Sequence, residues 1–218
     1  MSRHVARWIA PWCVAVAAAA LAGCGGGDSG TEPDDDPDPG PEPTYDERVA
    51  SGWASYEAGQ FTAARSAFQA AAAVDGSRAD AHVGLGWSQL RLDAPDLAHD
   101  AFDDGSAASG SDALKADLHA GWAFAWNARQ AAAGRHAESN ARVLQAEALA
   151  PGWTFAHEAG MDAADLTLLA AENHFALGEF AESLARVQVL DPAFTADVGT
   201  AAGLSALAAK IEALRAGS

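Results

Sequence analysis

The sequence from residue 44 onward predicts an all-α protein: an α-solenoid of stacked helical hairpins with a capping helix at its carboxyl end. This part of the chain is rich in Ala, Leu, Glu, Gln and Arg, has few β-branched residues and shows no alternation of polar and apolar positions. A Gly-Trp pair at Gly52 also returns at Gly86 and Gly121, about one helical hairpin further along each time. Such a recurrence indicates repeats that bury their apolar faces against one another.

The first two repeats match at a period of 34 residues. The matching positions are a glycine, a tryptophan, a small residue and a phenylalanine: Gly52, Trp53, Ala64 and Phe68 in the first repeat, and Gly86, Trp87, Ala98 and Phe102 in the second. Small residues where two helices touch, with an aromatic residue on the second helix, resemble the tetratricopeptide repeat family. The resemblance implies a superhelix that holds extended peptides on its concave face.

The elements are expected in the following order. A capping box formed by Thr44 and Glu47 begins the first helix. Helical hairpins are then expected at about residues 45–76, 79–110, 112–151 and 163–192, followed by a capping helix at 201–215. The apolar face of that last helix consists of Leu204, Leu207, Ile211 and Leu214.

The third hairpin departs from the pattern in two places. Its Gly-Trp pair, Gly121 and Trp122, is followed by the turn glycine Gly134 after 13 residues, against 7 in the first hairpin. We therefore expect its first helix to be longer by more than a turn and to end near Ala133. Residues 152–162 are an insertion between the third and fourth hairpins, and insertions in repeat proteins often emerge on the binding face.

The tryptophans allow more than one interpretation. Those of the Gly-Trp pairs are Trp53, Trp87 and Trp122. Their helical spacing is typical of a core stripe, and the alternative is a ladder of rings on the concave wall. Trp126 and Trp153 lie in the two irregular segments, and large aromatic residues anchor interfaces, so both are candidate partner-binding residues. Alternatively, Trp153 folds back with Phe155 to fill the gap beside the longer helix.

The amino terminus predicts export and lipidation. Arg3 and Arg7 precede an apolar run over residues 8–22, which ends in Leu-Ala-Gly-Cys. The run is too short for a spanning helix, and its end resembles a bacterial lipobox, which implies a signal peptide at residues 1–23 and lipid chains on Cys24. An ordinary secretory signal is the alternative. Gly25 follows the cysteine where an aspartate would favour inner-membrane retention, so the outer membrane is favoured.

Residues 24–43 form the lipidated cysteine and a tether that should stay disordered, because the stretch is acidic and rich in Gly and Pro. Asp34, Asp35, Asp36 and Asp38 lack the spacing of a calcium loop, so we expect no metal site there. The whole chain has a net charge of −17, and residues 44–218 carry 11 basic and 23 acidic residues. This balance argues against nucleic acid and favours a basic partner if charge steers one.

No catalytic signature occurs in the sequence. The histidines are scattered, and His157 beside Glu158 is the one pair worth considering, although neighbouring helical residues diverge. We therefore expect a membrane-anchored scaffold for protein interaction or assembly in the bacterial cell envelope, with no enzymatic activity, no cofactor and an unidentified protein or peptide partner. The alternative is an envelope lipoprotein that binds carbohydrate or peptidoglycan through exposed tryptophans.

Overall fold

The computed structural model describes residues 41–217, and these form nine α-helices. Eight of them make four successive hairpins, and the ninth follows on its own. The helices are α1 Tyr45–Glu57, α2 Phe61–Val74, α3 Ala79–Arg91, α4 Pro95–Ser106, α5 Asp112–Ala128, α6 Arg135–Leu149, α7 Ala163–Leu177, α8 Phe180–Leu190 and α9 Ala201–Gly217. Each helix packs against the next along the chain, and α1, α3 and α5 also pack side by side. The predicted all-α solenoid is confirmed.

Local sequence signals set several helix ends. The Thr44 side chain accepts the Glu47 backbone N–H, and the Glu47 carboxylate accepts the Thr44 N–H at 2.7 Å, which completes the expected capping box. Pro95 stands at the start of α4, where its fixed φ suits a helix and its missing N–H costs nothing. Gly178 ends α7 with a φ of 77°, a conformation that glycine adopts without strain.

The core of the first two hairpins is organised around Phe68 and Phe102, both fully buried. A Cβ added to Gly52 would lie within 3.0 Å of the Phe68 ring, and one added to Gly86 would lie equally close to Phe102. The repeated glycine therefore lets the first helix of each hairpin approach the phenylalanine of the second. Ala64 and Ala98 are also fully buried, one on α2 and the other on α4.

Gly121 has a different neighbour from Gly52 and Gly86. A Cβ on Gly121 would collide with Phe102 of the preceding hairpin and with Trp87, instead of a residue on α6. Gly121 is thus the counterpart of Gly84, which meets the preceding Phe68 in the same way. The spacing between the second and third Gly-Trp pairs is 35 residues, one more than between the first and second. One residue turns a helix by about 100°, so the third pair faces another direction.

The first helix of the third hairpin is longer, as expected, but ends earlier than expected. α5 has 17 residues, against 13 in α1 and α3, and it stops at Ala128 rather than near Ala133. Arg129 leaves the helical region with a ψ of 74°. The turn that follows closes at Gly134, whose φ is 71°.

The carboxyl-terminal helices share a second apolar cluster. Its buried members are Leu168, Ala171, Val187, Leu207 and Ile211. α9 lies across α7 and α8 at the end of the stack, where it covers their apolar sides. Within residues 41–217, no helix has the length and hydropathy that crossing a membrane requires.

Candidate binding surfaces

Residues 152–161, which we call the strap, lie against the first helices of the first three hairpins. We call the side of α1, α3 and α5 that the strap contacts the inner face. The strap is a compact loop: the Phe155 N–H donates to the Met161 carbonyl at 2.9 Å, and Thr154 and Asp162 form an isolated antiparallel bridge. Asp162 then caps α7. The insertion that interrupts the repeat thus returns over the preceding hairpins.

Two strap rings are buried in the inner face. Trp153 is 3% exposed, and its indole N–H donates to the Asp117 carboxylate at 2.7 Å. Phe155 stacks on Trp87 with ring centroids 4.2 Å apart. Of the two alternatives for Trp153, the structure shows the packed one. Its ring is not available to a partner in this conformation, because α5 and α3 already supply its neighbours.

The polar side chains of the strap also have partners on the inner face. The His157 ring lies parallel to Trp53 with centroids 3.7 Å apart, and its Nδ1 is 2.8 Å from a Glu57 carboxylate oxygen. Glu158 accepts hydrogen bonds from the Tyr56 hydroxyl at 3.0 Å and from Arg91 at 2.6 Å. His157 and Glu158 therefore point to different partners and do not converge on a common site.

Burial on the inner face changes two acid–base equilibria. It raises the pKa of the Asp117 carboxyl to about 6, and the hydrogen bond from Trp153 opposes this rise. It also raises the pKa of the Tyr56 hydroxyl, with the neighbouring Glu158 carboxylate adding to the effect. Asp117 is not among the residues that the sequence indicates. Its role depends on a tryptophan 36 positions away, and no local pattern signals that contact.

A second surface lies on the opposite side of α5. We call it the Trp126 patch, and its members are His99 on α4, Trp122 and Trp126 on α5, Arg129 just after α5 and Arg142 on α6. The Trp122 indole N–H donates to His99 at 2.7 Å, and Trp126 meets the same imidazole edge-on at 4.6 Å. The Arg129 guanidinium lies 4.6 Å from the Trp126 ring centre, and that of Arg142 lies 3.7 Å from Trp122.

Several N–H groups of the Trp126 patch lack an acceptor. Within residues 41–217, no hydrogen-bond partner is found for the indole N–H of Trp126, for one terminal nitrogen of Arg129 or for Nε of Arg142, although all three atoms are closed off from solvent. Arg129 uses another nitrogen, Nε, to contact Asp96 at 2.7 Å. Trp126 itself is only partly buried. It therefore remains in a position to contact a partner.

The imidazoles around this patch are poor bases. Burial, followed by the nearby positive charge of Arg129, lowers the pKa of His99. Burial, with Arg142 and Lys115 nearby, lowers the pKa of His119 to about 4. Both rings are therefore neutral at physiological pH, and the two arginines supply the positive charge of the patch.

Several expectations drawn from the amino-acid sequence concern residues outside the described range. Cys24, the signal peptide and the acidic cluster of the tether all precede residue 41. Within residues 41–217, no group of three or more His, Cys, Asp or Glu side chains is placed to hold a metal ion.

Comparison with known proteins supports the fold. No family model and no curated protein matches the chain. Two crystal structures of MamA, a tetratricopeptide-repeat protein, are similar to it at 14% sequence identity. One has a TM-score of 0.53 over 78% of this chain and 79% of MamA, and the other has 0.54 over 66% and 69%. At this identity the likeness concerns the fold alone, and it identifies the architecture as a tetratricopeptide-like solenoid.

Proposed function

We propose that this chain is an exported, lipid-anchored scaffold of the bacterial cell envelope that binds other proteins and catalyses no reaction. The observation that carries the binding proposal is the Trp126 patch, where aromatic and guanidinium groups hold N–H donors that have no acceptor among residues 41–217. Tryptophan and arginine are the residue types most enriched among the energetic anchors of protein interfaces. The solenoid architecture adds support, since stacked hairpins present extended surfaces to partners.

The unpaired donors make binding of a partner at the Trp126 patch energetically favourable. A buried N–H without an acceptor costs about 1–3 kcal/mol, because it has lost its hydrogen bond to water. The side chains of Trp126 and Arg129 are partly exposed. A partner that turns them outward and brings backbone carbonyl or carboxylate oxygens to their N–H groups would recover that loss. The arginines carry positive charge that nearby carboxylates partly balance, Asp96 beside Arg129 and Asp103 with Glu138 near Arg142. We therefore expect the contacting segment of the partner to offer acceptors, even if the partner as a whole is basic.

Photo-crosslinking in intact cells tests this surface. A photoreactive amino acid replaces Asp103, an exposed residue of α4 whose charge interacts with that of Arg142, or Glu182, an exposed residue of α8, as the matched control. We expect a discrete crosslinked protein at position 103 that disappears when Arg129→Ala is added, and none at 182. Equal crosslinking at both positions, or crosslinking that survives Arg129→Ala, would reject the patch as the binding surface.

Attachment to the membrane depends on Cys24. We expect Cys24→Ser to abolish incorporation of radiolabelled fatty acid such as palmitate and to leave an unprocessed or soluble chain, because serine cannot form the thioether. Equal labelling of wild type and Cys24→Ser would reject the anchor. If Cys24 carries lipid, separating the inner and outer membranes tests the outer-membrane location, which rests on the residue after the cysteine.

The carbohydrate-binding alternative needs exposed tryptophan faces, and the repeat tryptophans do not provide them. Trp87 is fully buried and Trp122 is 3% exposed. Trp53 is partly buried, and His157 lies flat against it. The interpretation of these three rings as a ladder for sugars has therefore lost its main support.

A further inference from the structure

We propose that the strap is a built-in ligand of the inner face, and that a protein segment with the same pattern of side chains binds there by displacing it. The pattern is a tryptophan, a phenylalanine two positions later and a carboxylate three positions after that, as in Trp153, Phe155 and Glu158. The inner face is separate from the Trp126 patch. The inference rests on the proposed function only in that the chain binds proteins.

The strap is attached to the helices as a bound peptide would be. Among the described residues, its backbone-to-backbone hydrogen bonds join strap residues to one another: Phe155 to Met161, Glu158 to Phe155, and Met161 to Glu158. The contacts with α1, α3 and α5 come from the side chains of Trp153, Phe155, His157 and Glu158. Detaching the strap therefore breaks no hydrogen bond of a helix backbone.

The hairpins on either side of the strap also pack without it. α6 and α7 contact each other directly. Near the two ends of the strap, Gly152 and Gly160 have φ values of 78° and 86°, in a region that glycine enters and leaves at little cost. Rotation at these glycines can lift the strap while α6 and α7 remain stacked.

The contacts that the inner face already makes indicate what it recognises. Asp117 on α5 accepts an N–H donor, Trp87 on α3 stacks on an aromatic ring, and Arg91 on α3 together with Tyr56 on α1 holds a carboxylate. A segment without the carboxylate would forfeit the ion pair with Arg91. The site therefore selects for an aromatic segment that carries an acid at one position, rather than for any apolar chain.

The covalent link between strap and helices determines when a partner can enter. A covalently linked ligand acts at an effective concentration of roughly millimolar. A free segment that makes the same contacts cannot compete at micromolar concentration. It binds the intact chain only when it makes additional contacts, and it binds readily when the strap is removed.

A synthetic peptide with the sequence of residues 151–162 is the probe, measured by calorimetry against the full chain. In the variant chain, a Gly-Ser segment of equal length replaces residues 152–161. We expect this variant to bind the peptide at least about 10-fold more tightly than wild type does, in keeping with the loss of an internal competitor. A second peptide with glutamine at the position of Glu158 should bind about 10-fold more weakly. A folded variant that binds neither peptide, or both equally, would overturn the proposal.

Hydrogen exchange on the wild-type chain covers the case in which the strap replacement does not fold. If the strap detaches by itself, the amides of Phe155 and Met161 exchange faster than those in the middle of α3 and α5. Exchange of all these amides at one common rate would mean that the strap opens only with the whole core, and the proposal would fail.

The two proposed surfaces can fail separately. Arg129→Ala alters the Trp126 patch and should leave binding of the peptide to the strap-replaced chain unchanged. Crosslinking from position 103 that survives Arg129→Ala, with intact peptide binding, would reject the patch alone. The reverse result would reject the built-in ligand alone.

Discussion

The two sides of α5 carry similar side chains in opposite states. Asp117 and Trp126 are nine residues apart, which places them about half a turn apart around the helix. On the inner face, the Trp153 indole N–H is paired with Asp117 and its ring is buried. On the opposite side of α5, the outer side, the Trp126 indole N–H has no partner within the part of the chain that the structure describes, and its ring is partly exposed. Tryptophan content alone therefore does not locate a binding surface. Whether the indole N–H is paired within the fold distinguishes a packed tryptophan from one that can contact a partner.

Replacing one tryptophan by alanine on the inner face and one on the outer side should give the largest difference in the free energy of unfolding. We expect Trp87→Ala to lower the free energy of unfolding by about 3–5 kcal/mol, since a fully buried ring under the strap is lost. We expect Trp126→Ala, the control, to lower it by less than about 1 kcal/mol. Denaturant titration of both variants measures the difference. Equal losses would show that the outer tryptophan belongs to the core as fully as the inner one.

Sequence alone predicted the parts of the fold that repeat. The 34-residue register placed Phe68 and Phe102 in the core, because a regular period reports contacts between neighbouring hairpins. It did not predict the direction of Trp122. The extra residue before the third Gly-Trp pair is the sequence signal for this change of direction, because one residue rotates a helix position by about 100°.

Breaking an ion pair on each side should have the next largest effect. Glu158→Gln removes the charge that faces Arg91, where the two side chains are 15% and 20% exposed. We expect a loss of about 2 kcal/mol, because hydrogen bonds to partly buried charged groups are among the stronger ones. Asp96→Asn is the matched control, since the Asp96 side chain is 79% exposed beside Arg129, and it should cost less than about 0.5 kcal/mol. Comparable losses from the two substitutions, measured by urea titration, would contradict the difference in burial.

The functional surfaces were less predictable than the fold. The sequence points to Trp126 and Trp153 because both lie where the repeat is interrupted, and the structure places them on opposite sides of α5. What separates them is Asp117, whose carboxylate meets one indole and not the other. Contacts between residues far apart in sequence depend on how the strap folds back. A single sequence holds no periodic signal for such a contact.

Titration of one group on each side should change stability in opposite directions. The pKa of Asp117 is raised to about 6 in the folded chain, so folding favours the protonated carboxyl. The stability that this protonated form contributes is lost as the pH rises from about 4 to 6. The pKa of His119 is lowered to about 4, so its effect on stability is the reverse, and stability rises as the pH rises from about 4 to 6.5. Because both side chains keep some contact with solvent, we expect each effect to be roughly 1 kcal/mol.

Two substitutions separate these effects. Between pH 4 and 6.5, Asp117→Asn should make the free energy of unfolding rise more steeply with pH than in wild type. His119→Phe, which keeps an aromatic ring beside Trp122, should make it rise less steeply. The slopes come from urea titrations at several pH values. Slopes that change in the same direction in both variants would mean that the two sides of α5 do not differ in this respect.

The smallest effect, and the most specific one, comes from removing a single indole N–H on the outer side. Trp126→Phe keeps an aromatic ring beside His99 and Arg129 but deletes an N–H for which the described residues offer no acceptor. Deleting an unpaired buried donor relieves its desolvation cost, so we expect the free energy of unfolding to stay within about 0.5 kcal/mol of wild type or to rise slightly.

Trp122→Phe is the matched control on the same helix. Its N–H donates to His99 at 2.7 Å, and losing that bond should cost about 1–2 kcal/mol because the imidazole nitrogen is then left unpaired. If Trp126 instead serves the fold through an acceptor, Trp126→Phe will lose as much stability as Trp122→Phe, and the outer side of α5 will resemble the inner one. A Trp126→Phe chain that keeps its stability but no longer crosslinks from position 103 would show that this N–H serves the partner and not the fold.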